Sequence, residues 1–418
     1  MHRLEQLLLD TLNPAVPVNT GQLAGLMPDQ WQALLALAAG QRVGPLLWHR
    51  LKQQGVTYLL PVEAAATLRE ALSRNTMRNL RRYGDLRRLL TALQAEQIPV
   101  ILLKGMYLAK TVYVNMGLRE MSDIDLLARS GDHRRITEIL AGMGYASPPP
   151  SLSDNHLPPM VKKGHACFEI HWNLVRQTEQ CSIDPEYWWR QAVPARIAGS
   201  DTLVLSPEDL LLHLCLHASY QHQFAQGLRP YCDIAATVAH FASALHWESI
   251  VERADEWGCR RGVYLTLLLA WELVGAEIPP GILERLRPED MDNSVRDIAR
   301  AQIFNNRCTT TMIPVAFAAF MGSRRIRDKI RIFRQRVFVP KAMLAGQYSL
   351  PVDAIRVYGC YLYRIFGLLS RHGGCLNRYL HKDAALQTVV ERTNVITAWL
   401  ASPAPRLRGT VSGSTCSH

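Results

Sequence analysis

The sequence predicts an α+β protein in which a small α/β core sits between two helical regions. Three observations carry that prediction. Residues 1–96 and 206–400 show apolar residues recurring at helical spacing. Between them, Val100-Ile101-Leu102-Leu103, Asp123–Leu127 and His165–Trp172 read as strands, with helix-like segments following the first two. Within the second strand, Ser122-Asp123-Ile124-Asp125-Leu126-Leu127 sets two carboxylates one residue apart among apolar neighbours. The expected boundaries are an N-terminal helical region over 1–97, the core over 98–203, a C-terminal helical domain over 204–400 and a disordered tail over 401–418.

Element by element, Met1–Asp10 reads as an amphipathic helix and not a signal peptide, because it lacks a sustained apolar core and a small-residue cleavage site. Pro28-Asp29-Gln30-Trp31 opens a helix with Trp31, Leu34, Leu35 and Leu37 at apolar positions. A longer helix is expected over 61–96. Its Arg78, Arg81, Arg82, Arg87 and Arg88 read as a solvated charged face, with a phosphate or nucleic-acid contact as the sharper reading. The apolar run Val100–Leu103 ends at Lys104-Gly105, and a helix-like segment follows to about Tyr113. Asp132 is expected to cap a helix over His133–Gly142, ended by Gly142 and Gly144. Tyr145–Ser147 begins another strand, and Pro148-Pro149-Pro150 and Pro158-Pro159 bracket a loop. Alternation in His165–Trp172 puts Phe168, Ile170 and Trp172 on one face and Cys167, Glu169 and His171 on the other. Ser206-Pro207-Glu208-Asp209 is a helix start, with a capping serine, proline at the first position and acids in the first turn. Helical periodicity then runs to about residue 400, broken at Gly227, Pro279-Pro280, Pro340 and Gly373-Gly374.

Bulk composition bounds the function. The 418 residues suffice for two or three domains, 48% apolar residues support substantial cores, and 20% charged residues exclude a wholly disordered chain. A formal net charge of +11 favours polyanionic partners, whether NTPs, nucleic acid or an anionic membrane surface, without choosing among them. The nine cysteines are odd in number and none pairs at C-x-x-C spacing, so reduced thiols and a cytoplasmic setting are expected. Val263–Ala270 and Met312–Met321 are too short to span a bilayer, so no transmembrane segment is expected.

The chemistry starts from the paired acids. Residues i and i+2 of a strand share a face, so Asp123 and Asp125 project together while Ile124 faces away. Adjacent carboxylates repel unless a cation sits between them, and Mg²⁺ prefers hard oxygen ligands and often holds substrate phosphates. Glu169, on a later strand, supplies a third acid. Burying an acid on a sheet face is unfavourable unless it is paired or metal-bound. Two-ion phosphoryl transfer gives all three a purpose: one ion on a triphosphate, the other lowering the pKa of an attacking hydroxyl. Upstream, Gly105 permits close approach of a phosphate to a helix start, and Lys104 and Arg119 can add charge. His171 shares the face of Glu169, where a hydrogen bond beside the acids is expected. His213 and His217 stand four apart on one helix face with His222 beyond, and read as satisfied helical histidines, not a zinc site. Asp233 reads as a helix-face residue or an inward acid. The run Arg324–Arg336 reads as a core-packed amphipathic helix with a basic outer face, or as a polyanion contact.

The order strand, Lys104-Gly105, helix, then Arg119-x-x-Ser122-Asp123-Ile124-Asp125-Leu126-Leu127, then Phe168-Glu169-Ile170-His171-Trp172, resembles the uncharacterised nucleotidyltransferase family of the DNA polymerase β-like superfamily. The motifs span roughly residues 98–175; Leu210–Leu214 and Leu228–Ile234 are similar to the family's downstream helices. The resemblance implies a small polymerase β-like α/β core and a transferase. It implies Asp123, Asp125 and Glu169 as catalytic residues and metal ligands, with Lys104, Gly105, Arg119 and Ser122 on the nucleotide. It implies two Mg²⁺ ions (Mn²⁺ as the alternative), an NTP as donor, and transfer of NMP to an unidentified acceptor with release of pyrophosphate. That acceptor is a small molecule, peptide, protein or RNA. One departure stands out: Lys104-Gly105 occupies the place where Gly-Ser is common, so a serine contact to the terminal phosphates is missing. Two other classes fit a D-x-D strand. One is a metal-dependent glycosyltransferase, disfavoured by the helical first hundred residues; the other is a non-catalytic binding protein that keeps the fold.

Overall fold

The computed structural model describes residues 2–147, 155–175, 181–304, 315–323, 325–338, 341, 355–381 and 383–402. The proline run Pro148–Pro150, Arg324, Pro340 and the expected tail from residue 403 lie outside them.

Five helices come first: α1 His2–Leu12, α2 Thr20–Ala24, α3 Pro28–Gly40, α4 Gly44–Gln53 and the 34-residue α5 Val62–Ala95. The buried stripe of α5 runs Ala64, Leu68, Asn75, Asn79, Asp85, Leu86, Leu89, Leu90 and Leu93. Its ends are apolar, as an amphipathic helix requires. Its middle is polar, and those polar residues hold the site described below.

The core follows as β1 Ile101–Leu102, α6 Lys104–Tyr107, β2 Asp123–Leu127, α7 His133–Gly142, β3 Cys167–His171, α8 Pro185–Gln191, β4 Val193–Ile197 and β5 Ser200–Val204. The five strands form one mixed sheet in the order β3-β2-β1-β5-β4. β2 pairs parallel with β3 and antiparallel with β1; β1 pairs parallel with β5. The α+β class predicted from sequence is the one observed.

Some local expectations change. Tyr145–Ser147 contributes only an isolated bridge, Ala146 to Val161. Asp132 precedes α7 but its side chain makes no capping bond; it faces Arg135 at 3.8 Å instead. The β4–β5 hairpin escaped the sequence reading. Its turn, Ala198-Gly199, has both residues at positive φ, 55° and 84°, the conformation that suits the twist of a two-residue hairpin.

The C-terminal helices are α9 Pro207–Leu216, α10 Arg229–His240, α11 Trp247–Glu256, α12 Arg260–Val274, α13 Pro280–Leu286, α14 Asn293–Phe304, α15 Val315–Gly322, α16 Ile326–Val337, α17 Arg356–Leu380 and α18 Ala384–Leu400. Ser206 caps α9 as predicted, accepting from the Asp209 N–H at 3.3 Å. One buried apolar cluster joins α1–α5, the sheet, α9–α14 and the end of α18. α16 departs from expectation: Ile326, Ile330 and Phe333 are exposed and do not pack into the core. Among the described residues no helix is long and apolar enough to cross a membrane.

Candidate active site

Strand register builds the site. In the parallel pair, Asp123 stands opposite Cys167, Asp125 opposite Glu169 and Leu127 opposite His171. Ile124, Leu126, Phe168 and Ile170 fill the other face and are fully buried, so neither strand can slip by one residue without burying its acids in the core. Asp123, Asp125 and Glu169 therefore share one face, as alternation predicted.

Asp125 is the deepest acid. His171 Nε2 lies 3.0 Å from its Oδ1, and Lys104 Nζ 3.8 Å from its Oδ2, which has no hydrogen-bond partner. Burial works to raise its pKa, but Lys104 first and His171 next overcome burial and hold it well below the usual carboxylate range. Glu169 moves the other way. Burial, then Asp125 and Asp123, push its carboxyl up to about 8. Lys104 is buried, and that burial lowers its pKa against the pull of Asp125, Asp123 and Glu169. Asp123 is half-buried and accepts a hydrogen bond from Ser122 Oγ at 2.9 Å.

Asp125, Glu169 and His171 each offer a ligand atom, and these atoms lie within 4.8 Å of one another. The sequence-derived triad named Asp123 in place of His171; in the structure Asp123 shares the face but stands outside that tight group. Hard carboxylate oxygens, one of them buried without a partner, suit a divalent cation.

Gly105 opens the floor of the site. A Cβ there would sit 3.5 Å from the Asp123 carbonyl oxygen and 3.7 Å from Arg119 Nη1, which is ordinary contact. The packing accepts a methyl group, so the absence of one leaves space. Arg119 is buried and commits Nε and Nη2 to Asp233, both at 2.9 Å, while Tyr113 Oη donates to the same carboxylate at 2.9 Å. Asp233 is thus an inward acid, and its partner is Arg119, not a metal group.

Three polar residues on α5 hold the entrances of both acid strands. Asn75 Nδ2 donates to the carbonyls of Gly117 and Arg119, and Asn79 Nδ2 to those of Met116 and Arg119. Asp85 accepts from the Ala166 N–H at 2.7 Å, one residue before β3. Asn and Asp in the middle of a buried helix stripe were a signal the sequence reading passed over.

His213 was read as a satisfied histidine and is not. It is fully buried, neither ring nitrogen has a hydrogen-bond partner, and burial, then the charge of Lys104, hold it well below its usual pKa. His217 and His222 approach through their Nε2 atoms at 3.1 Å.

A family model described as an uncharacterised nucleotidyltransferase matches residues 28–275, from α3 through α12. No curated protein and no solved structure matches the chain.

Proposed function

The chain belongs to the uncharacterised nucleotidyltransferase family, and from that premise we propose that it is a Mg²⁺-dependent enzyme transferring NMP from an NTP to an acceptor. The observation that carries this reading is the register that sets Glu169 opposite Asp125 while Asp125 Oδ2 stays buried without a hydrogen-bond partner. In the reaction an acceptor oxygen bonds to the α-phosphorus, the bridging P–O bond to the β-phosphate breaks, and pyrophosphate leaves with that electron pair. Asp123, Asp125 and Glu169 would hold Mg²⁺ or Mn²⁺, with His171 beside them. The bound cation supplies charge neutralisation on the triphosphate and a lower pKa for the attacking hydroxyl. Lys104 keeps a cation against Asp125 on the triphosphate side. Gly105 leaves the backbone open to a phosphate oxygen, and Arg119, fixed by Asp233, keeps Nη1 beside that opening. Ser122 orients Asp123.

The test is incorporation of α-phosphate-labelled NTP into cell extract by the purified protein with Mg²⁺. Label transfer that chelator and Asp123→Asn/Asp125→Asn both abolish is expected. Failure to bind any of the four NTPs in the presence of Mg²⁺ sinks the reading. One observation favours a second reading, a non-catalytic binding protein: Lys104 and His171 already stand against the two oxygens of Asp125. Unchanged biological activity of the double Asn variant selects it.

A further inference from the structure

The positive charge of the chain is gathered in one segment beyond the residues that match the family, which end at 275. Residues 324–381 hold twelve Lys and Arg against two Asp, which is +10 of the formal net charge of +11. The same stretch carries exposed apolar side chains. Of the 18 large hydrophobic residues exposed among the described residues, eight fall from Ile326 to Phe366. They recur at helical spacing. Ile326, Ile330 and Phe333 stand four and three apart along α16, and Tyr358, Leu362 and Phe366 four apart along α17, so each helix presents one apolar stripe. The Phe338 ring, just past α16, lies 5.7 Å from the Tyr361 ring and joins the two helices. Cations interleave with the stripe: Arg327, Arg331 and Arg334 line one open groove with Ile330 and Phe338. Asp328 is the one acid of α16, and it pairs with Arg331 at 3.0 Å.

A face that combines apolar stripes with so dense a positive charge fits a partner that is acidic at its surface and apolar beneath it. An anionic lipid bilayer has that chemistry. Nucleic acid answers the charge but offers the aliphatic side chains of Ile326, Ile330 and Leu362 no interior to enter. A second copy of the chain offers an apolar face but brings the same charge of +10 against it. We propose that α16 and α17 dock the protein on an anionic membrane surface, with the apolar stripes in the headgroup–acyl boundary and the arginines on lipid phosphates. Docking of this kind lies in the plane of the interface and needs no spanning helix. It uses no residue of the candidate active site and does not rest on the nucleotidyl-transfer reading.

Co-sedimentation of the whole chain with two kinds of vesicle tests this, one of phosphatidylcholine alone and one of phosphatidylcholine mixed with phosphatidylglycerol. Binding to the mixed vesicles, little to the neutral ones, and weakening as salt rises are expected. Arg327→Gln/Arg334→Gln should weaken binding to the mixed vesicles by about 10- to 30-fold. Ile330→Ser/Phe333→Ser should weaken it by about 10-fold or more. All four side chains are exposed, so both variants should melt with the wild type. Equal affinity for the two kinds of vesicle, or none for either, overturns the proposal. So does an apolar variant that binds as the wild type does, which reduces the face to a charged patch. An RNA or DNA oligonucleotide that binds more tightly than the mixed vesicles, and equally well to Ile330→Ser/Phe333→Ser, gives the arginines to nucleic acid. Sedimentation velocity without vesicles covers the remaining occupant. A dimer that the apolar variant dissolves gives the face to a second copy and overturns the proposal; no such dimer is expected.

Discussion

Asp125 and Glu169 face each other across β2 and β3, yet their environments drive them apart. Asp125 is held ionised by Lys104 and His171, whereas burial first, and then the repulsion of two neighbouring acids, keeps the proton on Glu169. Glu169 ionises near 4.5 when unfolded and at about 8 in the folded protein. Between those values the folded state binds more protons than the unfolded one. Its stability therefore falls as pH rises through that window and levels off above it. Glu169→Gln removes the fall. Thermal melts of metal-free protein at pH 8 should put the variant a few degrees above the wild type, since the shift is worth a few kcal/mol and each ~1 kcal/mol moves a chain of this size by about 1 °C. Added Mg²⁺ should reverse the order by stabilising only the wild type. A wild-type melting temperature that is flat from pH 5 to pH 8 would falsify this assignment. Asp125→Asn keeps the shape of the side chain and loses its charge; kcat/KM should fall by about 10³-fold or more. Gly105→Ala separates floor from fold: Ala fits the ligand-free packing and favours the helix by about 0.5–1 kcal/mol, so melting should hold or rise while the KM for NTP increases. A stable variant with an unchanged KM shows that no phosphate approaches Gly105.

At the scale of elements, α5 does what a solvated charged helix would not. Asn75 and Asn79 grip the turn before β2, and Asp85 grips the residue before β3. Gly117 lets that turn seat on the helix, since a Cβ there would come within 1.9 Å of Thr76 Oγ1. Gly117→Ala should destabilise by about 1–3 kcal/mol, as overpacking does, and Thr76→Ala in the same chain should recover part of that loss in denaturant melts. Equal destabilisation in the single and double variants means that the turn shifts instead of clashing. The sequence made the acid strand, the third acid and the class of fold legible because period-2 alternation and charge on an apolar face are local signals. It made β4 and β5 illegible because Val193–Val204 is short, half-exposed and interrupted by Pro194. The polar stripe of α5 was hidden for a different reason: an Asn that bonds backbone carbonyls 40 residues away looks, in one dimension, like any surface Asn. Arg119 shows the same limit. Its proximity to the acid strand suggested a phosphate ligand, while the partner that occupies most of it, Asp233, lies 114 residues downstream.

Across the whole molecule, that Arg119–Asp233 pair ties the C-terminal helices to the nucleotidyltransferase core. Both residues are buried, the contact is bidentate, and Tyr113 satisfies the same carboxylate from the core side. Asp233 sits one turn into α10, so the pair also fixes where that helix stands relative to the turn before β2. A buried ion pair adds little net stability over a packed apolar pair, but breaking one side leaves an uncompensated charge. Arg119→Met and Asp233→Leu should each destabilise the fold by about 3–5 kcal/mol, and the double variant by much less. Activity distinguishes a strut from a site. If the pair serves only stability, the double variant recovers both folding and transfer. If it aligns α10 with the acids, the double variant melts near the wild type but keeps a raised KM for NTP, because Nη1 of Arg119 is gone from beside Gly105. The second outcome is the one expected. Melting curves and steady-state kinetics on the four proteins decide it, and full recovery of KM in the double variant would reduce the pair to a structural tie.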